Sequence, residues 1–184
     1  MKRAALLVIC LMTLGSAFSQ DFVKGGNYIS LGYGLDPYRG SSNIGNNYIG
    51  HGGGVAYERG VTDVLGIGRI GAGGGISTMF YSYHSSISDF NTVRLTLSAR
   101  ATYHFEFDVP KLDVYAGLGF AFNMDFEETN IIGLTNKKKN THIGRPNYHQ
   151  VFAGIRYYFT DAFGVYAEFG HGHRAASAGV VFSF

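Results

Sequence analysis

From Thr92 to Phe107 the chain alternates without interruption between two kinds of residue. Val93, Leu95, Leu97, Ala99, Ala101, Tyr103, Phe105 and Phe107 are apolar or aromatic, while Arg94, Thr96, Ser98, Arg100, Thr102, His104 and Glu106 between them are polar or charged. A period of two belongs to a β-strand whose two faces meet different surroundings. Strands of globular proteins usually run ~3–10 residues, so this one is long for a soluble sandwich. It satisfies the roughly 9–11 residues that a tilted strand needs to cross a bilayer. The apolar face is expected to meet lipid and the charged face to fill a lumen.

Seven further stretches alternate in the same way, giving strands over 26–35, 48–58, 65–81, 92–107, 112–126, 148–159, 164–171 and 176–184. Tight turns at 59–64, 108–111 and 160–163 separate longer polar links at 36–47, 82–91 and 127–147, with a brief one at 172–175. Short turns on one side and long loops on the other are the habit of outer-membrane barrels. The last strand places Ala178, Val180, Phe182 and Phe184 on one face and Ser177, Gly179, Val181 and Ser183 on the other. Left open, such an edge would invite aggregation; paired with the first strand it disappears. Tyr57, Phe105, Phe107, Tyr157, Phe159, Phe182 and Phe184 close the even-numbered strands, which predicts an aromatic girdle on the rim holding both termini, the periplasmic one. Gly52–Gly54 and Gly73–Gly75 are expected to interrupt strands as bulges or as points of close lumen packing.

The first residues give the address. Lys2 and Arg3 precede an apolar run from Ala4 to Leu14, and Ala17-Phe18-Ser19 supplies a small-x-small site. This is the pattern of a secretory signal peptide over 1–19, cleaved after Ser19, with a barrel domain over 20–184. The apolar run is shorter than the ~20 residues of a spanning helix. Leu7-Val8-Ile9-Cys10 only faintly imitates a lipoprotein box, because Ile9 is bulky. Cys10, the single cysteine, leaves with the signal, so the mature chain can form no disulfide and no thiolate metal site. Loss of Lys2 and Arg3 leaves thirteen basic against thirteen acidic residues, a balance that offers nucleic acid no electrostatic footprint. Abundant Gly, Tyr and Phe suit close-packed strands with aromatic belts.

Taken together, the residues resemble the small eight-stranded bacterial outer-membrane barrels of the OmpX, OmpA-barrel and OmpW neighbourhood. The likeness spans the mature chain. Its most specific parts are the terminal Gly179-Val180-Val181-Phe182-Ser183-Phe184 and the Tyr157-Tyr158-Phe159-Thr160-Asp161 hairpin. The resemblance implies an all-β, eight-stranded antiparallel up-and-down transmembrane β-barrel, inserted by the outer-membrane assembly machinery with Phe182 and Phe184 as the assembly signal. It implies no activity, because one barrel fold hosts adhesins, small channels and lipid enzymes.

Several local patterns imitate chemistry. Gly66-Ile67-Gly68-Arg69-Ile70-Gly71 fits the dinucleotide fingerprint, yet Ala72-Gly73-Gly74-Gly75 cannot start the helix whose N-terminus would hold a pyrophosphate. His51-Gly52-Gly53-Gly54 imitates a lipase oxyanion loop without a nucleophile elbow to serve it. Glu168, His171, His173 and Ser177 share one hairpin and suggest a hydrolase relay like that of the lipid A deacylases, which this chain resembles in fold only. Their His-x-Ser spacing is absent, and parity turns Glu168 inward but His171 outward. His171 and His173 share a strand face, though two imidazoles fall short of a zinc site. Lys137-Lys138-Lys139 in the longest link could hold phosphates of an anionic surface lipid.

The ionic residues on the inward parity are Glu58, Arg69, Arg94, Arg100, Glu106, Arg156 and Glu168. An eight-stranded barrel is just wide enough for side chains to fill, and buried ions must pair. The expectation is a plugged barrel with a structural or surface-interaction role, with no catalytic residue, cofactor or metal. Lipid, lipopolysaccharide and the assembly machinery are the expected partners. A lipid A-modifying hydrolase and a narrow channel or carrier for small apolar molecules are the alternatives, and a secreted lipocalin-like barrel is the soluble one.

Overall fold

The computed structural model describes residues 22–38, 48–84, 88–131, 138–143, 147–172 and 174–184. The nine strands in them are β1 (Asn27–Tyr38), β2 (Tyr48–Gly60), β3 (Gly68–His84), β4 (Ser88–Phe105), β5 (Leu112–Ile131), β6 (Lys138–Ile143), β7 (Asn147–Thr160), β8 (Phe163–His171) and β9 (Ala176–Ser183). Eight of them close an antiparallel ring in the order β1-β2-β3-β4-β5-β7-β8-β9, with β9 paired back onto β1. At that seam Asn27 and Phe184 exchange backbone hydrogen bonds of 3.1 and 3.0 Å. The terminal strand therefore has no free edge.

The strands sort their faces by parity. Leu97, Leu118, Phe120, Val151, Ile155 and Phe169 stand exposed on the outside, whereas Tyr28, Tyr115, Tyr158, Thr96, His104 and Arg156 are buried inside. Such an inversion is favourable only where the outer solvent is apolar. Phe80, Val93 and Phe126 lie side by side on the outer face of β3, β4 and β5, and the next outward row is Ser82, Asn91, Glu128 and Lys139. The apolar band ends between those rows.

Beyond it the β3–β4–β5 sheet continues. β3 spans 17 residues and β5 spans 20, well past the ~9–11 needed to cross a bilayer. Two expected links are therefore largely ladder: β3 and β4 pair out to His84 and Asp89 within 82–91, and β6 folds back within 127–147 to pair with Met124–Thr129 of β5. Sequence periodicity missed them because both faces turn polar once the sheet leaves the apolar band, so the alternation fades while the pairing persists. β7 takes the same edge of β5 lower down, with a register shift between Gly119 and Ala121.

The glycine runs interrupt nothing. β2 and β3 pair in unbroken register from Gly60↔Gly71 to His51↔Phe80, so Gly52–Gly54 and Gly73–Gly75 mark close packing and not bulges. β3 also begins at Gly68, not at 65, because Gly66 adopts φ 70° and Leu65 bridges to Gly68 in a tight turn. Inside, a Cβ on Gly154 would overlap the Tyr115 ring, and one on Gly50 the Tyr81 ring. Glycine lets these rings lie flat across neighbouring strands.

At the short-turn end, rings meet in sequence around the rim: Tyr157 and Phe159 at 5.5 Å, Phe159 and Phe163 at 6.1 Å, Phe163 and Phe182 at 5.4 Å. The segment before β1 turns beneath this rim and is pinned there. Gly25 N–H donates to Gly60 O at 2.8 Å, and Lys24 Nζ donates to Asp63 Oδ2 at 2.5 Å, which holds the Asp63 carboxyl below its ordinary range.

Candidate functional site

Side chains that bond to one another occupy the lumen in layers along its length. At the short-turn mouth Phe22 is buried, its ring 3.4 Å from that of His104 and 4.7 Å from that of Tyr28. Arg69 Nη1 donates to Phe22 O at 2.5 Å, and Arg69 Nη2 lies 2.7 Å from Glu106 Oε1. Glu106 sits just past the end of β4 and is 39% exposed, so this pair guards the mouth instead of filling the interior.

Above Phe22 is a buried ionic layer. Arg156 Nη2 donates to Glu58 Oε2, and Arg156 Nη1 to Asp113 Oδ2 at 3.4 Å. Both nitrogens of His104 face carboxylates, Nδ1 at 2.8 Å from Asp113 and Nε2 at 2.9 Å from Glu58. Thr102 Oγ1 also donates to Glu58. The Arg156 guanidinium lies 4.6 Å from the centre of the Tyr115 ring and 5.7 Å from that of Tyr28, which belongs to a buried cluster with Phe22, Tyr158 and Val181. Charges taken so far from water survive only when each is paired and hydrogen-bonded.

A third layer joins this one to the outer half. Arg100 Nη1 lies 3.0 Å from Glu168 Oε2 and Nη2 lies 3.7 Å from Glu58 Oε2, with Phe152 beneath the guanidinium at 4.5 Å. Tyr115 Oη donates to Glu168 at 3.0 Å. Nearest the outer mouth, Arg94 binds Asp125 in bidentate fashion at 2.7 and 2.9 Å, Thr96 donates to Asn123 at 2.8 Å, and Tyr81 Oη donates to Asp36 at 2.9 Å. The two inner layers couple strands on different sides of the ring, Arg156 to Glu58 and Arg100 to Glu168, whereas the outer layer joins β4 to its neighbour β5 and β3 to β1. The cross-ring bonds resist opening of the barrel.

The hydrolase hairpin does not assemble among the described residues. Glu168 lies opposite Ser177 in the β8–β9 register, but its carboxylate is held by Arg100 and Tyr115. Ser177 is buried in the lumen, His171 is exposed, and His173 lies outside the described residues, as do Lys137 and the segment 1–19. No group of three metal-ligating side chains forms among the described residues. Asp113 and Asp125 escaped the sequence reading, although they share the parity of Tyr115 and so carried the signal that would have placed them inside; His104 lies on the lumen face as expected, but its place between two carboxylates did not show in the sequence.

The family model for the outer membrane protein beta-barrel domain matches residues 4–179. The chain belongs to this outer-membrane β-barrel family. Among solved structures, Ail, the attachment invasion locus protein of Yersinia pestis, is similar at 14% identity and TM-score 0.53, covering 88% of this chain and 100% of its own. Ail in complex with the heparin analogue sucrose octasulfate is similar at 14% identity and TM-score 0.51, with the same coverage. At that identity the likeness is one of fold. No curated protein matches by sequence. The alternating strands, exposed apolar band and packed interior are those of an outer-membrane barrel, and they place the lipocalin-like alternative behind it.

Proposed function

We propose that this outer-membrane barrel is a sealed structural element whose outward sheet and loops are its contact surface, and that it is not an enzyme. The observation that carries this is the lumen itself: its ionic and aromatic layers bond across the ring, and an interior committed to its own pairs offers no route for a solute. The projecting β3–β6 sheet, with Ser82, Asn91, Glu128 and Lys139 in one outward row, supplies polar area beyond the apolar band. Lys139, the last residue of the Lys137-Lys138-Lys139 run, would meet the phosphates of lipopolysaccharide there.

The reading includes removal of residues 1–19, both mature termini on the periplasmic side, and recognition of the last strand, through Phe182 and Phe184, by the assembly machinery. The native mature chain holds no cysteine, which makes orientation simple to test. Ser41→Cys in the link after β1 should react with a membrane-impermeant maleimide on intact cells, and Asp161→Cys in the β7–β8 turn only after permeabilisation. The reverse pattern would overturn the orientation. Lipid A mass spectra from cells expressing wild type and Ser177→Ala should be identical; a modification lost in the variant would restore the hydrolase reading.

A further inference from the structure

The turn between β2 and β3 shows aliphatic side chains at its surface: Val61 and Val64 are each 49% exposed and Leu65 56%. The backbone beneath them is fixed. Val61 N–H donates to Ile70 O at 2.8 Å, Ile70 N–H to Thr62 Oγ1 at 2.9 Å, and Leu65 N–H to Gly68 O at 2.6 Å, with Gly66 at φ 70° making the bend. The Lys24–Asp63 pair holds the turn from the side of the N-terminal segment.

Direction gives these side chains their meaning. Val61 continues the outward parity of Val55 and Tyr57, both exposed on β2, and Leu65 bridges Gly68, the partner of the outward Phe105. Tyr103, on the same outward parity of β4, donates from Oη to Leu65 O at 2.5 Å. A ring on the lipid-facing wall meets that carbonyl because the turn leans over the wall and not beneath the mouth. Ile67 looks the other way, since it lies opposite Glu106, which donates its N–H to Ile67 O at 2.9 Å, and shares the inward parity of Arg69. Arg59, exposed one outward position before Val61, adds a cation to the outer face.

We propose that the outward face of this turn is a lipid-docking foot, with Val61 and Leu65 seated in the interfacial layer of the phospholipid leaflet at the short-turn end. Single exposed aliphatics mean little, but a patch continuous with a lipid-facing wall extends that wall. The occupant is phospholipid and not a protein, because the patch joins the apolar band through Tyr103 and sets the Arg59 guanidinium where a long cationic side chain reaches lipid phosphates. The foot lengthens the apolar surface on the β2–β4 side of the barrel, which biases its depth and tilt in the bilayer. Docking rests on the outer-membrane barrel reading; which leaflet receives the foot rests on the proposed orientation, which the maleimide labelling tests separately.

The chain contains no tryptophan, so a substituted one reports its own surroundings. Leu65→Trp, Val61→Trp and Ile67→Trp are refolded into vesicles of phosphatidylcholine brominated near the top of its acyl chains, beside Leu118→Trp on the wall, whose quenching reports insertion of the barrel. Emission from Leu65→Trp and Val61→Trp should be blue-shifted and quenched by the bromolipid several times more strongly than emission from Ile67→Trp. Similar quenching of Leu65→Trp and Ile67→Trp, strong or weak, would overturn the foot. Weak quenching of both, with emission open to aqueous iodide, would place the turn in water, and shielding from both quenchers would place it against protein.

Discussion

Arg156 on β7 and Glu58 on β2 meet across the full width of the barrel, from strands four places apart in the eight-membered ring and 98 residues apart in sequence. Neither can relax toward water. Replacing Arg156 by Met would take from Glu58 and Asp113 the guanidinium they share deep in the lumen, leaving Glu58 with only His104, Thr102 and the more distant Arg100, at a cost of roughly 3–5 kcal/mol. Urea titration in micelles, read by the gel shift between folded and unfolded bands, should show that loss. Glu58→Gln in the same background should recover part of it. Fully additive effects would mean that the two side chains do not act as a pair.

Phe22 closes the short-turn mouth by stacking on His104, although it lies outside every strand. Phe22→Ala should destabilise the barrel by about 3–5 kcal/mol, the usual cost of emptying a buried aromatic site. An unchanged urea midpoint would show that the segment before β1 only rests against the rim.

Gly154 is the floor on which the Tyr115 ring lies. Gly154→Val should cost about 1–3 kcal/mol through overpacking. Combined with Tyr115→Ala, which removes the ring, the valine should be tolerated better than it is alone. Equal penalties in both backgrounds would refute the contact.

Phe184 pairs with Asn27 through its backbone while its side chain stays exposed on the outer rim. Phe184→Ala should therefore leave refolding in detergent nearly unchanged, within about 0.5 kcal/mol, as surface substitutions usually do. It should still lower the amount of protein reaching the outer membrane, measured by heat-modifiable migration of membrane fractions. Equal losses in both assays would assign Phe184 a folding role instead.

Parity made the ring legible before any coordinates, because lipid on one side and a packed lumen on the other force each strand to alternate. It failed where the environment became the same on both faces. The outer ends of β3 to β5 and the whole of β6 read as loop, since Ser82, Asn91 and Lys139 face water like their neighbours. Who meets whom inside was also hidden: Glu58 and Arg156 are joined by the ring's closure and stagger, and no local pattern encodes either. Phe22 left no mark at all, because a single apolar residue before a strand is indistinguishable from any other. The Gly-rich third strand misled for a different reason: Gly73 and Gly75 lie against the backbone of β2 and Gly74 against that of β4, and glycines placed for close packing look in sequence like breaks.

The sealed lumen is the centre of this account, and planar-bilayer recording tests it most directly. Folded wild-type protein should insert without steady conductance if, as proposed, the layers from Phe22 through Arg156 and Arg100 to Arg94 close the lumen. Large, stable single-channel steps from the wild-type barrel would contradict it.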